Sequence, residues 1–239
     1  EFVRIGERDL SKETEPYSDW NVTCGAPIPD LLTNPEIEVL LEPEGCFAIH
    51  IKREAPKPQD IEVAEVIKHE QFGAGRCRRC NDIAIVKLAK PAKFDKYFVQ
   101  PICLPVDPEW DMGYLASEFL QDNWGDATGW GVTDKRDIFT NTGSDILQEV
   151  SLLINEGPFC QQQKRDNPGL KILCAGVGDG KDTCRGDSGG PLIVHNMYEE
   201  KRYAVGITSF SSTVCGSSES QTVFTDVHQY IDWIKQNLV

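Results

Sequence analysis

Asp182-Thr183-Cys184-Arg185-Gly186-Asp187-Ser188-Gly189-Gly190-Pro191 sets one serine between a carboxylate and a pair of glycines, and its reading decides that of the whole chain. Gly186 has no Cβ, so the backbone before Ser188 can approach a developing oxyanion closely. The amides of Gly186 and Ser188 are therefore a candidate donor pair, with Ser188 as a candidate nucleophile. The alternative is a glycine-rich surface turn that holds a serine by chance. Segments elsewhere in the chain separate these two readings.

Asn81-Asp82-Ile83-Ala84-Ile85-Val86-Lys87-Leu88, Gly129-Trp130-Gly131, and Phe224-Thr225-Asp226-Val227 through Trp233-Ile234 accompany the serine segment in a fixed order. With them the chain, from Val3 onward, resembles the chymotrypsin/trypsin family of serine endopeptidases, whose nucleophile segment reads GDSGGP. The resemblance implies an all-β fold: a double six-stranded antiparallel β-barrel of trypsin type, the first barrel incomplete, with a C-terminal α-helix. It implies one peptidase domain over residues 1–239. Residues 1–105 are expected as a partial first barrel with an insertion at 13–58, 106–126 as the connection, 127–226 as the second barrel and 227–239 as the helix.

Carried over residue by residue, the resemblance makes Asp82 the carboxylate that orients a histidine base, and Asp187 the partner of a free α-ammonium created by activating cleavage. Asp182, six residues before Ser188, matches the base of a pocket that selects Arg or Lys. Ser209 and Phe210 match the strand that pairs with substrate backbone, Phe210 standing where tryptophan is usual. Ser211 and Thr222 occupy pocket-wall positions that are glycine in trypsin-like members. The β-branched Thr222 shortens such a pocket, which leaves a preference for Arg or Lys and a preference for small residues both open.

Composition narrows the partners. A chain of 239 residues with 40% hydrophobic content can bury a sizeable core. A formal charge of -14 argues against sequence-independent binding to nucleic acid or anionic membrane, which needs clustered Lys and Arg. No apolar run approaches the ~18 residues of a membrane span, and the opening Glu1-Phe2-Val3-Arg4-Ile5 reads as mid-strand rather than as a signal peptide. Protein substrates, serpin-type or other protease inhibitors and an upstream regulatory segment are the partners that the resemblance implies.

Nine cysteines point to an oxidising compartment, and Asn21-Val22-Thr23 is a glycosylation sequon usable only on a secreted path. A secreted, extracellular protein is expected. The resemblance suggests bridges between Cys160 and Cys174 and between Cys184 and Cys215. Cys24 and Cys46 bracket the acidic insertion and would close it. Cys77-Arg78-Arg79-Cys80 either forms a short local bridge or supplies two zinc ligands; its basic spacer and the lack of a second ligand pair favour the bridge. Cys103 is left over, and the family's matching cysteine bridges to a segment upstream of the catalytic domain. No metal is expected; Glu7, Glu13 and Glu15 form a weak calcium candidate that nearby Arg8 and Lys12 oppose.

Short apolar–polar runs separated by Gly, Pro, Asn and Asp predict strands at 3–10, 61–69, 83–88, 148–154, 191–194 and 203–209. Val227, Ile231, Ile234 and Leu238 recur at helical spacing, which predicts a C-terminal amphipathic helix as the one exception to the β pattern. The insertion reads as a long acidic, proline-rich loop of the kind found in arthropod clip-domain proteases.

The histidine is missing. The family carries it in an Ala-His-Cys segment ahead of a strand like 3–10, and none of His50, His69, His195 and His228 has that setting. The chain is accordingly expected to lack triad-dependent activity by itself, with Asp187 unpaired and turned away and the Gly186 amide badly aimed. Two functions are carried forward: a secreted serine endopeptidase acting by limited proteolysis in a haemolymph cascade, and a non-catalytic protease homologue serving as a cofactor or binding module.

Overall fold

The computed structural model describes residues 2–5, 10, 56–106, 120–134, 140, 142–196, 201–212, 214–218 and 220–238, and residues 16–24, 37–42 and 46–54 as backbone alone. The chain divides into two compact units, Phe2–Ile61 with Ala92–Gln100, and Glu62–Pro91 with Pro101–Val239.

In the smaller unit lie strands β1 (Phe2–Ile5), β2 (Pro16–Cys24), β3 (Ile37–Glu42) and β4 (Cys46–Glu54). The last three form an antiparallel sheet of order β2-β4-β3. The insertion expected as a loop is therefore partly sheet. Ile49-His50-Ile51 and Ile37-Glu38-Val39 alternate apolar and polar residues, as a strand with one buried face does, but the acids and prolines between them masked that period. The β2–β4 register sets Cys24 directly opposite Cys46. Their side chains and that of Asn21, together with the calcium candidates Glu7, Glu13 and Glu15, lie outside the described residues, as do residues 107–119 of the connection.

Strands β5 (Gln59–Lys68) and β6 (Ala84–Leu88) pair antiparallel in a sheet of order β1-β5-β6. Six more strands follow in the larger unit: β7 (Trp124–Gly129), β8 (Gln148–Leu153), β9 (Ile172–Ala175), β10 (Pro191–Asn196), β11 (Lys201–Ser211) and β12 (Thr222–Asp226). They make one antiparallel sheet of order β8-β7-β10-β11-β12-β9. Leu152, Leu192, Val194, Val205 and Phe224 fill its core. Every residue of β12 is buried, in keeping with its β-branched and aromatic content.

Two helices are described. Helix α1 (Pro158–Asp166) was not expected from the sequence. Gly157 caps it, Pro158 opens it, and Lys164 and Arg165 sit in the last turn, where their charge suits the helix dipole. Its run of Gln, Lys and Arg gives no apolar period, because Cys160 is the one buried residue it brings to the core. The C-terminal helix is present as a 3₁₀ turn, Val227–Tyr230, leading into α2 (Ile231–Asn237). Val227, Tyr230, Ile231 and Ile234 pack with Ile83, so the closing helix is fastened to the segment that carries Asp82.

Candidate active site

Asp82 is held between two buried anchors. Cys80, bridged to Cys77, packs with Cys160, Leu170, Ile172 and Val223, while Ile83 packs under the closing helix. Asn81 between them adopts a left-handed conformation with φ 60°, which asparagine tolerates better than most residues. Its side chain donates to the Gln71 carbonyl at 3.2 Å and accepts from the Tyr230 hydroxyl at 3.0 Å. The Asp82 carbonyl accepts from Thr225 Oγ1 at 2.7 Å. Fixed in this way, the Asp82 carboxylate accepts from Ser209 Oγ at 2.6 Å.

Ser209 is free to turn toward Asp82 because the β11–β12 ladder is irregular there: Thr208 pairs with Phe224 and Phe210 with Val223, and Ser209 is skipped. The serine turn is fastened to the same strand. Gly189 donates to the Thr208 carbonyl at 2.9 Å and Thr208 donates to that of Gly190 at 2.8 Å. Ser188 is exposed, and it lines a cavity of about 360 Å³ together with Ser209, Phe210 and Ser211. Ser209 thus bonds Asp82 and lines the same cavity as Ser188, which stands 106 residues from that aspartate in sequence.

Asp187 is not turned away. Its Oδ1 accepts from the Gly131 amide and its Oδ2 from the Cys184 amide, each at 2.8 Å. A side chain at Gly129 or Gly131 would collide with this carboxylate, which explains both glycines of the Gly-Trp-Gly turn. The expectation that Asp187 needs a cation to stay in place overlooked these backbone donors. The Arg185 carbonyl accepts from the Val132 amide at 2.8 Å, and in a trans peptide the N–H points opposite to the C=O, so the Gly186 N–H faces away from Val132. Gly186 has φ +104°, and a Cβ there would sit 2.9 Å from Gly131 Cα.

Asp182 lies on the far side of the Cys184–Cys215 disulfide from Ser188. It lines a second cavity, of about 330 Å³, with Asp187, Lys181 and Gly216; Thr183, Cys184 and Cys215 border both cavities. Its Oδ2 accepts from the Gly216 amide at 3.2 Å and its Oδ1 from the hydroxyl of the fully buried Thr222. Thr183 Oγ1 lies 2.9 Å from Thr222 Oγ1. Thr222, expected as a pocket-wall residue, lines neither cavity; it is fully buried and its hydroxyl bonds the carboxylate from behind the wall.

The bridges Cys160–Cys174, Cys184–Cys215 and Cys77–Cys80 are present, and Cys103 is a free thiol. His69, expected as a surface histidine, is largely buried instead. It stacks on Trp233 at 5.0 Å between centroids and meets the edge of Tyr230 at 5.6 Å. His195 is exposed on β10 and His228 is half-buried in the 3₁₀ turn. Sequence reasoning missed Asn81, Thr225, Tyr230 and Arg79, whose guanidinium lies 4.1 Å from the centroid of the Phe210 ring. The Cys-Arg-Arg-Cys spacing was the available signal for the last of these.

The site thus combines an exposed serine on a glycine turn with a fixed aspartate bonded to a residue of the serine's cavity, on a frame of antiparallel strands. The chain belongs to the trypsin family, whose model, named Trypsin, matches residues 45–234. It is similar to phenoloxidase-activating factor 3 of Holotrichia diomphalia, at 34% identity over 188 residues, 77% of this chain and 49% of that protein. It is also similar to the Spaetzle-processing enzyme of Drosophila melanogaster, at 36% over 190 residues, 77% of this chain and 44% of that one. A CLIP domain-containing serine protease, HP8, of Bombyx mori is 32% identical over 183 residues, covering 75% of this chain and 47% of its own. The chain spans about half the length of the curated relatives it matches.

Proposed function

We propose that this chain belongs to a secreted serine endopeptidase of clip-protease type, which cleaves protein substrates after Arg or Lys by limited proteolysis in an extracellular cascade. The observation that carries the reading is the meeting of Asp82 with the Ser188 cavity through Ser209. In this reading Ser188 Oγ bonds to the scissile carbonyl carbon as its proton passes to a base. The amides of Gly186 and Ser188 hold the oxyanion. The same proton then goes to the leaving amine as the C–N bond breaks, and water releases the acyl group. Asp82 orients the base. None of the four histidines of this sequence is bonded to Asp82 among the described residues, and the chain alone is proposed to lack triad-dependent activity. The chemistry needs no cofactor.

Substrate backbone would lie along Ser209–Ser211, where β11 has parted from β10 at Ile207 but still pairs with β12. Asp182 would favour Arg or Lys in the primary pocket, weakened by the buried Thr222 hydroxyl that already donates to it. Cys103, half-exposed beside β11, would join an upstream regulatory segment. Serpin-type or other inhibitors would occupy the same cleft.

A fluorophosphonate probe on the full-length, activated protein tests the reading. It should label Ser188, and Ser188→Ala should abolish both labelling and peptide hydrolysis. The occupied Asp182 favours a second reading, a non-catalytic homologue acting as a cofactor. Refusal of the probe together with no hydrolysis would select it.

A further inference from the structure

The Cys77–Cys80 bridge closes a loop that carries two arginines, one of which, Arg79, stands against a residue of the serine cavity's wall. Cys80 is buried, while Arg76, Arg78 and Arg79 are exposed and have no carboxylate partner among the described residues. In a chain of net charge -14 this is an isolated basic patch. Its placement is specific. The Arg79 guanidinium carbon lies over the Phe210 ring, 4.1 Å from its centroid, and Phe210 lines the cavity of Ser188. The ring is backed edge-on by Phe159 at 6.4 Å and packs on the buried cluster of Cys80, Cys160, Cys174 and Val223. The attraction of the cation to the ring favours this position of the side chain, and Arg79 remains exposed to solvent.

A guanidinium held in this way is pre-organised for a carboxylate, which it meets with two parallel N–H···O bonds. We propose that Arg79, carried on the disulfide-closed Cys77–Cys80 loop, is a specificity residue that selects substrates with an acidic side chain two to four residues from the scissile bond. The distance suits this assignment. A segment paired to Ser209–Ser211 rises about 3.3 Å per residue, so its second to fourth residues from the cut bond pass Phe210 and Arg79. The loop's base is fixed to the core and its length is fixed by the bridge, so Arg79 does not need to be ordered on binding. Arg78 and Arg76 add long-range attraction for an acidic segment that the rest of the protein would repel.

The inference rests on the endopeptidase reading, and two measurements keep them apart. The first is the affinity of fluorescent peptides for the Ser188→Ala form, measured by anisotropy, with Glu scanned against Gln at the second, third and fourth positions. The second is kcat/KM for the same peptides with the activated wild-type protein. Glu should be preferred about tenfold at one of the three positions in both measurements. Arg79→Gln should reduce that preference below twofold, and Arg79→Lys should leave an intermediate value, since an ammonium offers charge without the fork. Equal affinity for Glu and Gln peptides, or a preference that survives Arg79→Gln, overturns the proposal. Turnover without discrimination overturns it and leaves the peptidase reading standing. Arg79-dependent binding without turnover sustains the acidic subsite and overturns the peptidase reading, while neither binding nor turnover overturns both.

Discussion

On one side of the Cys184–Cys215 disulfide, Ser188 stands exposed in a cavity whose hydroxyl-bearing wall leads to Asp82. On the other, Asp182 and Asp187 line a cavity of similar size, and each of their four carboxylate oxygens already accepts a hydrogen bond. The two regions share a wall and differ in what they leave unsatisfied. Ser188 has no side-chain partner among the described residues; Asp182 and Asp187 have taken theirs from the protein. Reactivity is built where donors and acceptors remain open, and rigidity where they are closed. The proposed pocket for a basic side chain falls on the closed side.

The largest effect should come from the open side. Asp82→Asn keeps the shape but replaces an acceptor-only carboxylate with an amide that cannot hold the base in one tautomer. In the activated full-length protein kcat should fall about 10⁴-fold, the size seen when a Ser-His-Asp triad loses this carboxylate, with KM little changed. A loss of only a few-fold would mean that Asp82 is a structural partner of Ser209 and nothing more.

Removing the closure on the other side should work in the opposite direction. Thr222→Gly deletes the hydroxyl that donates to Asp182 and the β-branched bulk behind it. With Asp182 released, kcat/KM for peptides cut after Arg should rise about 10–100-fold, while peptides cut after Ala should lose their advantage. Some stability will go with it, since glycine leaves a void where the fully buried Thr222 side chain was. If Arg peptides gain nothing, Asp182 is not the residue that reads the substrate.

The same strand carries a contrasting aspartate at its other end. Asp182 has both oxygens bonded, whereas the fully buried Asp226 has one: Oδ2 accepts from Gln229 at 2.7 Å and Oδ1 has no partner among the described residues. Burial pushes its carboxyl above the ordinary range, against the smaller pull of Gln229, His228 and Lys164. Folding therefore favours the protonated form. The associated stability is fully present below the unfolded value near 3.8 and is lost as pH rises through the raised folded value. Asp226→Asn should be worth about 1–3 kcal/mol at pH 7 and close to nothing below pH 4, read from denaturant midpoints. A variant less stable than wild type at pH 7 would show that the charge has a partner beyond the described residues.

The serine turn, the aspartate segment and the three described bridges were legible in sequence because their chemistry needs particular residues at particular spacings. Asp182 and Thr222 were both singled out in the sequence, though as parts of a substrate pocket and not as hydrogen-bond partners. What did not show was support that acts through the backbone or through shape. Gly131 and Cys184 lie in quoted motifs, but the role of their amides in holding Asp187 could not be read there, since any residue supplies an N–H. Helix α1 hid because it buries a single cysteine, and the strands of the insertion hid among acids and prolines. Arg79 looked like a spacer between cysteines; only the fold brings it over Phe210.

The smallest effect should come from Tyr230, which touches neither cavity and acts on the open one through Asn81. Its hydroxyl donates to Asn81 Oδ1 at 3.0 Å and so helps hold the left-handed turn that aims Asp82. Burial pushes the phenol up to about 12, and the nearby Asp226 and Asp82 charges add to the rise. The neutral form is thus the folded form: its contribution is complete below pH 10, the ordinary tyrosine value, and fades as pH climbs toward about 12. Tyr230→Phe removes the donor and keeps the ring against His69, so stability should drop by about 1 kcal/mol. The catalytic loss should be a few-fold in kcat with KM unchanged, because the acceptor left on Asn81 can take a water while the Cys80 and Ile83 anchors still hold Asp82 in place. A loss as deep as that of Asp82→Asn would mean that those two buried anchors do not fix the loop, and that the tyrosine hydrogen bond alone keeps the carboxylate facing the serine.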